Sequence, residues 1–293
     1  MDTILRSGEL ELTTSTKGAE IMSCTKDGIE YVWHGDPSYW GRRTPILFPF
    51  VGQVRNKEYR YRTKTYPMGQ HGFARDMDFS IKELKSDSIT YVLTENEETL
   101  KIFPFRFVLE VSYRIERNEV IVGWTVKNPA AEDLFFSIGG HPAFMCPIDG
   151  QGTWEKYRIR FMKGDQALSS LTIRPITTGG NVGKETRQLD LTDGCITPTD
   201  ELFAGDALIA EGFQTDRISL VNPGGKEYLI VSIDTPLVGI WSPVGKHAPF
   251  ICIEPWCGRT DRDDFTGSLE DREYGNCLHP EEVFHREYSV IFR

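Results

Sequence analysis

Apolar and polar residues alternate along much of the chain, and this alternation predicts β-strands rather than helices. In the clearest case, residues 107 to 115, every second residue is apolar, which is the period of a strand with one buried face. Arg117 and Asn118 then lead into a second alternating run, 120 to 126, so the two runs predict a β-hairpin. Similar runs predict strands at 10–12, 30–33, 45–51, 59–61, 134–138, 157–161, 217–221, 228–233, 250–253 and 288–292.

Helical patterns are few and short. Residues 95–103, which end at Pro104, and residues 199–203 are the two candidates. Many strands with little helix indicate an all-β sandwich or barrel. The 293 residues contain no linker-like change of composition, no low-complexity tract and no repeat, so we expect one domain over 1–293. The segment 179–199 is rich in Gly, Thr and Asp and is predicted to be a surface excursion of that domain.

Composition narrows the class of function. Hydrophobic residues make up 39% of the chain, enough for a large core, and the net charge of −10 disfavours nucleic acid or an anionic membrane as a partner. The N-terminus has no signal-like apolar run, and the six cysteines form no Cys-x-x-Cys pair, so we expect a cytoplasmic protein with reduced thiols. Zinc-ligand spacing, a phosphate-binding glycine loop and a dinucleotide fingerprint are all missing from the sequence, which argues against a metal or a nucleotide cofactor.

Glu254 is the first candidate for chemistry. An apolar run, 250–253, stops at Glu254, and Pro255 follows at once. A residue before proline favours extended backbone, so Glu254 is predicted to lie at the end of a strand. Side chains alternate along a strand, which places Phe250, Cys252 and Glu254 on one face. Two interpretations stay open: a partly desolvated carboxylate that serves as a general base, or a solvated residue at a strand end.

Two histidines have neighbours that suggest a site. His141 follows the pair Gly139-Gly140, and an imidazole is the natural proton donor near neutral pH; the alternative is a core histidine. His71 lies between two glycines in a short motif that ends at Arg75, and loops of this kind frequently carry binding groups. Tryptophan and tyrosine faces would suit the apolar C–H patches of a sugar ring. The other histidines are predicted to be on the surface: His34, His247, His279 and His285.

Three motifs, in this order, carry a family resemblance. They are His-Gly-Phe-Ala-Arg (71–75), Gly-Gly-His-Pro-Ala-Phe (139–144) and Ile-Glu-Pro-Trp-Cys-Gly (253–258), and the stretches 45–49 and 206–209 support them. Together they resemble the aldose 1-epimerase (galactose mutarotase) family, and in particular its LacX-like branch. The resemblance runs from about residue 8 to the end of the chain.

The resemblance implies a single-domain β-supersandwich that interconverts the anomers of a sugar without a cofactor. It implies that His141 is the catalytic acid and Glu254 the catalytic base. It implies that His71 is a substrate-binding histidine and that Asp206 matches the aspartate that holds sugar hydroxyls. From the residues themselves we add Arg75, which the same loop presents with His71, and Trp241 or Trp256 as an aromatic neighbour of the site. The family also has an early binding arginine. Arg55 is our choice for it, although Lys57 fits the spacing nearly as well and Gln53 stands at a position often occupied by arginine.

Several functions stay open at this point. The first is an aldose 1-epimerase for a free hexose, a monomer or homodimer whose only partner is its sugar. A close variant acts on a hexose 6-phosphate, whose phosphate would need arginines or lysines at the mouth of the site. A non-catalytic sugar-binding module on the same scaffold, and a purely structural β protein, are the remaining alternatives.

Overall fold

The computed structural model describes residues 1–177 and 179–293, and strands dominate it. In chain order the strands are β1 (Asp2–Ser7), β2 (Leu10–Ser15), β3 (Ile21–Lys26), β4 (Ile29–Glu30), β5 (Ile46–Leu47), β6 (Glu58–Tyr61), β7 (Lys64–Pro67), β8 (Ser80–Leu84), β9 (Ser88–Thr94), β10 (Val108–Glu116), β11 (Glu119–Lys127), β12 (Leu134–Phe136), β13 (Ile138–Gly140), β14 (Ala143–Met145), β15 (Arg158–Lys163), β16 (Gln166–Ala167), β17 (Ser170–Arg174), β18 (Arg187–Asp190), β19 (Cys195–Ile196), β20 (Leu208–Glu211), β21 (Arg217–Val221), β22 (Glu227–Ile233), β23 (Leu237–Trp241), β24 (Phe250–Cys257), β25 (Asn276–Leu278) and β26 (Val283–Phe292).

The helices are as short as the sequence predicts. They are α1 (Glu97–Ile102) and α2 (Asp200–Phe203), and single 3-10 turns lie at Arg55–Lys57, Ala74–Asp76, Ile148–Gly150, Trp154–Lys156 and Leu269–Asp271. The side chain of Asn96 caps α1 by accepting the N–H groups of Glu98 and Thr99. Among the described residues, no helix has the length and apolar character needed to cross a membrane.

Two large antiparallel sheets face each other across a shared core. One has ten strands in the order β16-β15-β21-β22-β26-β11-β10-β9-β8, with β19 on β15. The other has eight in the order β18-β17-β20-β23-β24-β13-β5, with β14 on β24. Smaller sheets are β1-β2-β3-β4, β6-β7 and β12-β25. The predicted all-β sandwich is therefore confirmed, while the single domain over 1–293 stays a prediction.

The predicted hairpin lies inside the ten-stranded sheet, between β26 and β9. In β10 and β11, Val111 lies opposite Trp124 and Tyr113 opposite Val122. These apolar side chains are buried in the same core as Ile251 and Ile253 of the eight-stranded sheet. Period-2 alternation thus predicts both the strands and the face that each one buries.

The strand that carries Glu254 is longer than predicted. β24 continues through Pro255 to Cys257, so Glu254 lies inside the strand and not at its end. Proline is tolerated there because of the neighbouring pairing. The N–H of Ile253 donates to the carbonyl of Pro142, and alternate N–H groups point the same way, so the N–H that Pro255 lacks would fall between β13 and β14.

The segment 179–199 is only partly the surface excursion that the sequence predicts. It contains β18 and β19. Val182 is fully buried in a small cluster with Leu47, Val51 and Trp256, and its N–H donates to the carbonyl of Asp261. The polar composition of the segment does not predict this anchoring, because only a few scattered apolar residues, such as Val182 and Leu191, provide it.

Candidate active site

A cavity of about 300 Å³ lies on the face of the eight-stranded sheet that carries Glu254. It brings together residues that are far apart in sequence. The predicted residues in its wall are His71, Arg75, His141, Asp206, Trp241, Trp256 and Glu254, and the others are Trp40, Gly52, Gln70, Ile176, Gly180, Ala207, Ile209 and Thr260.

Glu254 and His141 meet in the wall of this cavity. His141 Nε2 lies 3.3 Å from Glu254 Oε2. Glu254 is fixed by β24, where it lies opposite Gly239 of β23. His141 follows β13, and its main-chain N–H donates to the carbonyl of Pro45. Both side chains are buried, and Glu254 Oε2 and His141 Nδ1 make no hydrogen bond within the described residues.

Burial shifts the pKa of each group toward its uncharged form. Desolvation raises the pKa of Glu254 well above its usual value; the nearby charge of Asp206 adds to this rise, and the indole of Trp256 opposes it. Desolvation also lowers the pKa of His141 from 6.5 to about 3, and the positive charges of Arg75 and Arg42 contribute. The two groups therefore favour a carboxyl beside a neutral imidazole.

His71 is held in place by a reciprocal pair of hydrogen bonds with Gly52. The N–H of His71 donates to the Gly52 carbonyl, and the N–H of Gly52 donates to His71 Nδ1. Because Nδ1 accepts, the ring proton of the neutral imidazole is on Nε2. Burial, followed by the charge of His141, lowers the pKa of His71 well below its usual value. His71 is thus a neutral hydrogen-bond donor in the cavity wall.

Trp40 is a cavity residue that the sequence did not reveal. Its indole stacks on the imidazole of His141, and it also contacts Trp241 edge-on. Its loop is tied down on two sides, because Trp33 Nε1 donates to the Trp40 carbonyl and Lys246 Nζ donates to the carbonyl of Tyr39. The available signal was an aromatic residue in a polar turn, which alone is too common to mark a site.

Two glycines make room for the Trp256 indole beside Glu254. A Cβ on Gly139 would lie 2.6 Å from Trp256 Cδ1, and a Cβ on Gly239 would lie 2.7 Å from Trp256 Cη2 and Cζ2. Real Cβ atoms do not approach other atoms so closely, so a side chain at either position would displace the indole. Gly139, in the glycine pair before His141, therefore has a steric role, because its missing side chain leaves room for the Trp256 ring.

Arg75 and Asp206 provide opposite charges in the wall. Arg75 lies in a 3-10 turn and donates from Nη2 to the Gln70 carbonyl, while its buried Nε has no hydrogen-bond partner within the described chain. Burial and the charge of Arg42 lower the pKa of Arg75 to about 10. Asp206 follows α2 in a left-handed conformation, with φ of 72°, and accepts the N–H of Ala207.

The structure places Arg55 and Lys57 outside this cavity. Arg55 Nη1 donates to the carbonyl of Phe265, and its main-chain N–H donates to Asp261 Oδ2. Both cations line a separate open cleft next to Gln53. The choice of Arg55 as a sugar contact therefore does not fit its position, because neither Arg55 nor Lys57 lies in the wall of the cavity. Arg75 is the arginine that the cavity contains.

His141, Cys252 and Glu254 could in principle hold a metal ion, because one donor atom of each lies within 4.8 Å of the others. Cys252 is fully buried, and burial raises the pKa of its thiol well above the usual value, with the charge of Glu254 adding to the effect. A metal ligand must be a thiolate. This trio is therefore a poorer metal site than its spacing suggests.

Comparison with known proteins identifies the family of this chain. The sequence profile of the aldose 1-epimerase family matches residues 3–262. The chain belongs to the aldose 1-epimerase family. Protein LacX of Lactococcus lactis subsp. lactis is 29% identical over 98% of this chain and 97% of that protein, in agreement with the predicted LacX-like branch.

Solved structures of aldose 1-epimerase relatives have the same fold. A galactose mutarotase related enzyme from Lactobacillus acidophilus superposes with a TM-score of 0.93 at 35% identity, covering 100% of this chain and 97% of that one. A galactose mutarotase-like protein from Lactobacillus casei superposes with a TM-score of 0.90 at 29% identity, covering 100% of each chain. Membership of the aldose 1-epimerase family supports a mutarotase-type activity on a carbohydrate.

Proposed function

We propose that the protein is an aldose 1-epimerase that interconverts the α and β anomers of a free hexose by general acid–base catalysis. The observation that carries the proposal is the contact of 3.3 Å between His141 Nε2 and Glu254 Oε2 in the wall of a cavity of about 300 Å³. Opening a pyranose requires a proton to leave the C1 hydroxyl and another to reach the ring oxygen. Glu254 takes the first and His141 delivers the second.

One shared proton is enough for the full cycle. Burial favours the carboxyl and the neutral imidazole, so the resting pair carries its proton on Glu254. Transfer of that proton to His141 creates the carboxylate and the imidazolium. Ring opening then returns a proton to Glu254 and removes one from His141, so the open-chain aldehyde faces the same uncharged pair as the resting site. Rotation about C1–C2 and reclosure in the opposite sense give the other anomer.

The remaining polar groups are assigned to the sugar hydroxyls. His71 offers its Nε2 proton as a donor, since Gly52 occupies Nδ1. Arg75 supplies a guanidinium whose Nε is buried without a partner in the described chain, and Asp206 supplies an acceptor. Trp241 and Trp256 present apolar ring surface to the C–H patches of the sugar.

The test is Glu254→Gln, which keeps the shape of the side chain but cannot accept a proton. Anomer exchange, followed by NMR on glucose and galactose, should fall about 100-fold or more, which is roughly 3 kcal/mol of barrier. Sugar affinity, measured by calorimetry, should persist. A variant that exchanges anomers at the wild-type rate would show that Glu254 is not the base. If the wild-type protein binds hexose without exchanging it, the protein is a sugar-binding module.

A hexose 6-phosphate is a second candidate substrate, and Arg75 is the observation that favours it. The neighbouring Arg42 adds positive charge that lowers the pKa of Arg75, and a phosphate would offset both charges. The carboxylate of Asp206 in the same wall opposes a phosphate. Comparing kcat/KM for glucose and glucose 6-phosphate decides between the two substrates, and Arg75→Ala should then affect the phosphorylated sugar more strongly.

A further inference from the structure

Three side chains that the proposed reaction does not use meet on the outer face of the β12–β25 pair. Cys277 and His279 are two residues apart, so their side chains leave the same face of the strand. Leu134 lies opposite Leu278, which brings Asp133, one residue earlier, alongside His279. His279 Nδ1 lies 2.9 Å from Asp133 Oδ1, and one donor atom each of Asp133, Cys277 and His279 lies within 4.8 Å of the others.

The turn that follows β25 holds this group rigidly. The main-chain N–H of His279 donates to Glu282 Oε2, and the N–H of Glu282 donates to the carbonyl of His279. Two strands and a closed turn therefore position the donors before any ligand arrives. The side chains of Asp133 and His279 are 42% and 66% exposed, so an ion can reach them from solution without movement of the fold.

We propose that Asp133, Cys277 and His279 form a binding site for a borderline-soft divalent cation, best matched by Zn²⁺. A thiolate, an imidazole and a carboxylate are the three protein ligands that zinc prefers, and a water or the Glu282 carboxylate completes a tetrahedron. Donor atoms about 3.3–3.7 Å apart suit zinc bond lengths of about 2.0–2.3 Å, so the Asp133–His279 contact needs to open only slightly.

Charge at the group also fits a cation. The carboxylate of Asp133 contacts the His279 imidazole, and that of Glu282 accepts the main-chain N–H of His279. A divalent cation bound between Cys277 and His279 would offset this local negative charge. Binding releases the thiol proton, and the proton of any imidazolium, to solvent. The ion would tie the start of β12 to the end of β25, and we expect it to stabilise the fold rather than to take part in the reaction.

The test uses the full chain without a histidine tag. Titration with Co²⁺ should give one equivalent and a thiolate-to-cobalt charge-transfer band, and Zn²⁺ should displace it with a Kd below about 10 µM. Zn²⁺ should also raise Tm. Cys277→Ser should abolish the band, and His279→Ala should weaken zinc binding by more than the roughly 10- to 100-fold that loss of an outer partner costs. Both positions are exposed, so both variants should fold.

Two control variants make the outcome decisive. Cys195→Ser removes a half-buried thiol that lies outside every donor group found among the described residues, and it should leave the band unchanged. Cys252→Ala removes the buried thiol of the His141–Cys252–Glu254 trio. If the band is lost with Cys252→Ala and kept with Cys277→Ser, the ion binds at that trio and the proposal fails. Absence of a thiolate band in the wild-type protein overturns it as well.

Discussion

The indole of Trp40 stacks on the imidazole of His141, with ring centroids 4.7 Å apart and planes inclined by 27°. A catalytic histidine is usually oriented by a hydrogen bond on its second nitrogen, but Nδ1 of His141 has none within the described residues. Stacking from Trp40 and an edge contact from Trp241 provide the orientation instead. In the proposed reaction, the π face of Trp40 would also stabilise the imidazolium form of His141.

Trp40→Leu should therefore lower kcat about tenfold, the range expected for loss of a cation–π contact worth roughly 1–2 kcal/mol. KM should change less, because the sugar keeps Trp241 and Trp256. Trp40→Phe should recover most of the rate. NMR exchange kinetics on each variant separate kcat from KM. Equal loss in the Leu and Phe variants would mean that Trp40 acts by filling space alone.

Asp206→Asn should move the alkaline limb of the pH–rate profile toward lower pH. Asp206 raises the pKa of Glu254, and the active pair needs one proton, which is lost at high pH with an apparent pKa that belongs to the pair. Without the negative charge, the pair gives up this proton about one pH unit earlier. The measurement is kcat/KM against pH, with Asp263→Asn, outside the cavity, as the matched control. An alkaline limb at the same pH in Asp206→Asn would show that Asp206 does not raise the pKa of the catalytic pair.

Arg75→Ala and Arg55→Ala should have different effects. Loss of Arg75 removes a guanidinium from the cavity wall, so KM should rise about tenfold, as expected for a charged hydrogen bond of roughly 1.5 kcal/mol. Loss of Arg55 removes its bond to the Phe265 carbonyl and should cost about 1 kcal/mol of unfolding free energy, with KM within about twofold. Exchange kinetics and urea denaturation of both variants check this. A large KM effect at Arg55 would return it to the site.

Acid should destabilise the wild-type protein more than the His141→Asn variant. The folded-state pKa of His141 is lowered from 6.5 to about 3. Above pH 6.5 the histidine is neutral in the folded and the unfolded state, so it does not lower the unfolding free energy. As the pH falls below 6.5, the unfolded state binds a proton that the folded state does not, so stability is lost on acidification. Between pH 7 and pH 5 the wild-type protein should lose about 2 kcal/mol more unfolding free energy than His141→Asn.

Urea denaturation at the two pH values measures this difference. Glu254 contributes with the opposite sign. Because the folded-state pKa of Glu254 is raised, its contribution to the unfolding free energy is complete below its unfolded pKa and is lost as the pH rises. This contribution largely cancels in the comparison, because both proteins keep Glu254. Equal acid sensitivity of the two proteins would show that His141 is protonated freely in the folded state.

The sequence predicts best those strands that bury only one face, because their apolar and polar residues alternate. The hairpin of β10 and β11 has one buried face, so its alternation is visible in the sequence. β23 is not predicted because Gly239 interrupts its short apolar run, and its buried side chains, such as Leu237 and Val238, show no alternation. The apolar run before Glu254 correctly predicts a strand. Pro255 suggests that the strand ends there, but the interrupted pairing beside β24 lets the strand continue.

The candidate site was predictable only as far as the family motifs reached. His71, His141 and Glu254 meet as expected, in one cavity wall. Trp40 was missed because its partner, His141, lies in a distant part of the chain, and stacking leaves no local pattern. Arg55 was misplaced because spacing along the chain does not record the direction in which a turn sends a side chain.

The shape of the cavity depends in part on two residues behind its wall, Gly139 and Gly239. Neither residue lines the cavity, yet each leaves space that the Trp256 ring fills. An alanine at either position would push this ring, and through it would narrow or tilt the space next to Glu254. Two relatives that accept sugars of different size could therefore have the same residues facing the ligand and differ only in the layer behind them. A search for the determinants of substrate size in this fold must include glycines that do not touch the substrate.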